Sequence, residues 1–166
     1  MKTQEALSLM IALEERVARV YTHFFRTFRD DPAVARCWWE MALDEHGHAG
    51  ILTMVRELVS SQAEAGEVGS RLWTLVEAVE HCEAEAREVT ALDRAVELAI
   101  RLESSELDAL AHRIIESVRA QLPEGAGRAF LATEGHCRPL AEAAAHIHDR
   151  AVRHRLEVFL AGAKAR

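Results

Sequence analysis

Proline occurs at only three positions, 32, 123 and 139, and the long intervals between them are filled mainly by alanine, leucine, glutamate and arginine. A proline inside a helix removes a backbone donor and crowds the preceding turn, so punctuation this sparse leaves room for long helices built of strong helix formers. Apolar residues recur at helical spacing from the start: Leu7, Met10, Ile11, Val17, Ala18, Tyr21, Phe24, Phe25 and Phe28 form one stripe. "DDP" ends it, with Asp31 suited to cap a new helix and Pro32 to its first turn. A second stripe, Trp38, Met41, Ala42, Leu52 and Val55, runs toward the loop "SQAEAGEVGS". A third starts with Thr90 as cap and Asp93 reaching back, and carries Val96, Ile100, Leu107, Leu110, Ile114 and Val118 as far as "QLPEGAG". A fourth begins near Gly127 with Phe130 and Leu131, and Pro139 predicts a kink or break near 138 before a last helical stretch.

These patterns predict helices at about 3–29, 32–62, 71–88, 91–121, 127–138 and 139–163 within a single domain, 1–166. The short joins between the first two long helices and between the third and fourth make each pair an antiparallel hairpin. The long join, 63–89, carries Leu72, Trp73, Leu75, Val76 and Val79 and predicts a short crossover helix. The expected fold class is therefore all-α: an antiparallel four-helix bundle with a long crossover and a C-terminal helical extension. An up-down-up-down bundle with a fifth helix in the connection is the alternative. A formal charge of −7 without a basic stripe argues against a nucleic-acid partner. Cys37, Cys82 and Cys137 are widely separated and form no CxxC, which argues against a zinc ribbon or a rubredoxin-type iron site and favours a reducing, cytoplasmic setting. The apolar run Ala6–Leu13 lies between Glu5 and "EER", the signature of an amphipathic helix rather than a signal peptide, and no stretch approaches a membrane span.

Four glutamates interrupt the apolar stripes. Glu14 lies between Met10–Ile11 and Val17–Ala18, Glu45 between Met41–Ala42 and His48–Ala49, Glu103 between Ala99–Ile100 and Glu106–Leu107, and Glu134 between Phe130–Leu131 and Cys137. From 14 to 45 is 31 positions, as from 103 to 134, so the hairpins read as two copies offset by 89; Ile11 then matches Ile100, and His48 falls opposite Cys137. Inward carboxylates repel one another in a low-dielectric core, and protonation or divalent cations offset that cost. In "DEHGH", Glu45 and His48 share a helix face while His46 points elsewhere. Carboxylates with imidazole suit iron or manganese, with zinc as a further candidate, whereas calcium prefers oxygen alone.

"ALEERVARVY", "ALDEHGHA", "AIRLESSELD" and "FLATEGHC" together resemble the ferritin-like superfamily, and within it the erythrin domain of rubrerythrin-like di-iron proteins, over roughly residues 3–140. The resemblance implies a two-iron centre with Glu14, Glu45, His48, Glu103 and Glu134 as ligands and Glu106 at the position of an additional glutamate, for which a helix-surface role is the alternative. It implies oxidation of ferrous iron or reduction of oxygen or peroxide, with Glu45 and Glu134 bridging and Glu14 and Glu103 terminal. The chain departs from the pattern where the fourth helix should supply histidine: Cys137 stands there, His136 is one position early, and Pro139 follows. A thiolate binds iron or zinc but is itself oxidised by peroxide, which argues against high peroxidase turnover. Cys137 is otherwise a small buried apolar residue. Without a rubredoxin module, electrons must come from an external donor. The competing reading is a non-catalytic helical-bundle module for binding or dimerisation, with one metal or none. A homodimer is expected on the resemblance. Tyr21, Trp38 and Trp39 are expected in the core or an interface, and His146, His148 and His154 at solvent or a subunit contact.

Overall fold

The computed structural model describes residues 1–60, 62–65, 68–105, 107–124 and 137–163, and they are helical almost throughout. The helices are α1 (Thr3–Thr27), α2 (Pro32–Leu58), α3 (Val68–Ala86), α4 (Leu92–Glu103), α5 (Leu107–Ser117), α6 (Cys137–Ala143) and α7 (Arg150–Ala163), with 3₁₀ turns at Arg119–Gln121 and Ala144–His146. The one β-type pairing among the described residues is the bridge between Lys2 and Glu64. None of the described helices is long and apolar enough to cross a membrane.

α1 is the centre of the packing, in contact with α2, α3 and α5. Its apolar stripe is buried from Ala6 to Phe24, and it lies against the inner face of α2, where Trp38, Met41 and Leu52 are fully enclosed. Asp31 starts α2 as its residue type predicts: its carboxylate accepts from the backbone N–H of Ala33 and Val34, at 3.0 and 3.2 Å, and Pro32 occupies the first turn. α3 fills most of the expected crossover. Leu72, Leu75, Val79 and Cys82 are buried, and the Arg16 guanidinium on α1 grips Glu83 and Glu80 at 2.7 and 3.2 Å. Trp73, read with that apolar pattern, faces outward and is 57 % exposed.

The third expected helix, 91–121, is two helices. α4 closes with the N–H of Ser104 bonded to Ile100 and that of Ser105 to Leu102, and the Ser105 hydroxyl accepts from the N–H of Leu107 at 3.4 Å. Serine hydroxyls compete with the backbone ladder, and here that of Ser105 takes the N–H of Leu107. Thr90 does not cap α4. Ala91 stands at the cap without a side-chain bond, and the Asp93 carboxylate accepts instead from the N–H of His148 and Asp149, at 3.0 and 3.2 Å. That contact fastens the start of α7 to α4. Pro139 is the third described residue of α6, and the kink or break expected near 138 adjoins residues outside the described ones. The helix expected at 127–138 falls almost wholly outside the described residues. His146 pairs with Asp31 at 3.0 Å, while His148 and His154 are exposed.

Candidate metal centre

Apart from Thr3, the polar or charged side chains buried among the described residues are Glu14, Glu45 and His48, and all three meet. Glu14 sits midway along α1 and faces α2, where the i, i+3 spacing brings Glu45 and His48 to the same side. His48 Nδ1 lies 3.4 Å from Glu45 Oε2, 3.8 Å from Glu14 Oε2 and 3.9 Å from Asp108 Oδ1. His46, by contrast, is exposed. Both carboxylate oxygens of Glu14 are buried without a hydrogen-bond partner, an arrangement that costs several kcal/mol unless a cation or proton compensates it.

The third and fourth sides of the centre come from the serine break. Glu103, the last residue of α4, and Asp108, in the first turn of α5, both line a cavity of about 10 Å³ with Glu14 and Glu45. On an unbroken helix five residues turn the chain by about 140° beyond a full circle, so these two carboxylates would face apart. The break at Ser104–Ser105 lets both reach the cavity. Val17, Leu102 and Leu107 form its apolar wall. Glu14, His48 and Asp108 each offer one donor atom, all within 4.8 Å of one another.

The Tyr21 hydroxyl donates to Glu103 Oε1 at 2.5 Å, and its ring stacks on Trp38 with centroids 6.0 Å apart. Tyr21 thereby fixes the Glu103 carboxyl from α1. Burial, and then the charge of Glu45, push Glu103 well above the usual carboxylate range. Burial likewise holds Glu45 well above it. For His48 burial acts the other way and favours the neutral ring, but the facing carboxylates of Glu14 and Glu45 outweigh it and lift its pKa to about 10. At neutral pH the metal-free His48 ring therefore carries both of its protons. Tyr21→Phe removes the donor to Glu103 and is expected to cost roughly 1–3 kcal/mol of folding stability and about 10-fold in metal affinity; urea denaturation and metal titration of the variant read both.

Of the residues singled out in the sequence, Glu14, Glu45 and His48 are brought together and Glu103 stands at the same cavity. Glu106, Glu134 and the side chain of Cys137 lie outside the described residues. Asp108 was not among the sequence candidates. Its signal is the double serine in "ESSELD", which resets the helix phase ahead of it. The donor set of carboxylates with one imidazole fits a first-row divalent metal. With bonds of about 2.0–2.2 Å, ligand atoms on one ion stand roughly 3–4 Å apart. No protein-family model, no curated protein and no solved structure matches the chain.

Proposed function

We propose that the protein is a ferritin-like, rubrerythrin-like iron-binding protein whose carboxylate-rich centre oxidises ferrous iron or reduces oxygen or peroxide. The observation that carries the reading is the convergence of Glu14, Glu45 and His48 in an otherwise apolar core, with no hydrogen bond to either Glu14 oxygen. Burying such groups costs stability unless a cation compensates them. Glu14, Glu45, His48, Glu103 and Asp108 would hold the metal, with Glu134 and Glu106 as further ligands from the family pattern and manganese or zinc as the competing ions. Ferrous iron held by these residues would supply the electrons for reduction of oxygen or peroxide. The chain's own part is to orient the carboxylates, Glu103 through Tyr21, to keep bulk water out with Val17, Leu102 and Leu107, and to exchange the His48 proton. An external donor returns the electrons. The free, buried thiols of Cys37 and Cys82 suit a reducing cytoplasm.

The second reading is a non-catalytic single-metal site, favoured by the compactness of the Glu14, His48 and Asp108 group. Elemental analysis of untagged protein after anaerobic ferrous loading separates the two. The redox reading expects about two irons per chain and oxygen-dependent oxidation that is lost in Glu45→Ala. One metal per chain with no oxygen consumption selects the second reading, and no binding of any divalent ion rejects both.

A further inference from the structure

The donor groups on the first hairpin are sealed from solvent. Glu14 is 0 %, Glu45 5 % and His48 1 % exposed, and the uninterrupted helices that carry them, 25 and 27 residues long, pack against each other. Asp108 differs. Its side chain is 55 % exposed, yet its Oδ1 lies 3.9 Å from His48 Nδ1, and its donor atom belongs to the same group as those of Glu14 and His48. One side chain thus touches both water and the centre.

The cavity beneath it has room for about one water molecule, at about 10 Å³. A hydrated ion must therefore shed most of its shell to enter, and a divalent charge without oxygen ligands is too costly to move past the apolar wall of Val17, Leu102 and Leu107. Each water lost has to be replaced by a protein oxygen. Glu103 lines the same cavity, but its carboxyl is fastened by the Tyr21 hydroxyl at 2.5 Å. Asp108 stands in the first turn of α5, directly after the gap between Glu103 and Leu107 in which Ser105 also lines the cavity. Its short side chain turns between water and cavity by rotation about its own bonds, with no helix to displace. The Glu14 oxygens, buried without a hydrogen bond at that cavity, are where an ion is needed.

We propose that metal ions enter and leave the centre at the Ser104–Ser105 break, and that Asp108 is the ligand that passes them between solvent and the Glu14 and His48 donors. The inference rests on the metal reading of the centre and adds the route into it. Asp108 takes an ion from water, replaces part of its hydration and delivers it to Glu14; escape is the reverse. A group that lowers the barrier in this way speeds both directions alike, whereas a ligand that only holds the ion slows escape and leaves entry unchanged.

Stopped-flow absorbance with cobaltous ion measures the two directions on the full chain: mixing the ion with metal-free protein gives entry, and mixing loaded protein with excess EDTA gives escape. Asp108→Asn is expected to slow both about tenfold, so that the dissociation constant, their ratio, moves much less than either rate. Asp108→Glu keeps the carboxylate and is expected to recover most of the entry rate. Glu116→Gln removes an exposed carboxylate elsewhere on α5 and is expected to leave both rates at the parent's values, which separates the route from overall charge. Asp108 is exposed, so its variants are expected to keep the parent's far-UV circular dichroism. Faster escape with unchanged entry in Asp108→Asn would make Asp108 a holding ligand only and overturn the proposal, leaving the metal reading in place. Parent rates in Asp108→Asn, or equal slowing by Glu116→Gln, overturn it in the same way. A parent that takes up no cobaltous ion in equilibrium dialysis instead rejects the metal reading, and this inference with it.

Discussion

A Glu14→Leu chain is expected to be more stable than its parent when both are stripped of metal, and to have lost high-affinity metal binding. Glu14 is fully buried among apolar neighbours, and neither of its oxygens has a hydrogen-bond partner. Leucine fills a similar volume without a group to desolvate, and replacing buried ionic groups by apolar ones is often stabilising, by about 1–4 kcal/mol, when no charge is left without a partner. Glu45 still faces His48 at 3.4 Å in the variant, so the ring keeps a carboxyl partner with which to share the proton. For a chain of this size a gain of about 2 kcal/mol raises the melting temperature by roughly 4–8 °C. Metal reverses the order, because a ligand that binds only the folded parent adds about 2.7 kcal/mol at a hundred times its dissociation constant. The crossing of the two stabilities, measured in chelator and then in ferrous or manganous ion, is what a structural role for Glu14 does not produce. A variant less stable than the parent in chelator, with an unchanged response to metal, would refute the assignment.

Much of the first hairpin is legible in the sequence because its signals are local. Asp31 and Pro32 act on the three residues that follow them, and the stripes of α1 and α2 repeat every turn. The carboxylates stand out for the same reason: Glu14 and Glu45 fall where the period demands an apolar residue. The second half is less legible because its decisive contacts are distant or depend on competition. Thr90 and Asp93 satisfy the local pattern of a capped helix, yet Asp93 is taken by backbone donors more than fifty positions away. Ser104 and Ser105 sit inside a good apolar stripe, and nothing in the period marks the turn they insert.

That turn also changes the meaning of the repeat. Glu14 lies in the middle of a 25-residue helix, while Glu103, its match at the 89-residue offset, is the last residue of a 12-residue one. The two halves therefore present their carboxylates differently, the first rigidly and the second beside a chain break. Asp108 enters the centre only because of that asymmetry.

Metal binding is expected to release protons and to strengthen as pH rises. Against an ordinary value of 6.5, the His48 pKa of about 10 reflects burial opposing the charge and the facing carboxylates of Glu14 and Glu45 more than offsetting it. A pKa raised by folding stabilises the protonated native state: the contribution is fully present below pH 6.5 and is lost as pH rises through about 10. Glu45 and Glu103 act in the same sense. Their raised values contribute stability below the ordinary carboxylate pKa of 4.5, and lose it as pH climbs through the folded values. Metal-free protein should therefore weaken steadily from mildly acid to alkaline solution. A divalent ion needs the neutral imidazole and the ionised carboxylates, so it must displace those protons. Each proton displaced makes affinity rise about tenfold per pH unit, and between about pH 6 and 8 the His48 proton is the one expected to leave. Calorimetric titration in two buffers of different ionisation enthalpy counts them directly, and the metal-bound protein should gain stability over the range in which the metal-free protein loses it. Binding without proton release near pH 7 would mean that the ion sits elsewhere, since no donor set containing His48 admits a metal while the ring keeps both of its protons.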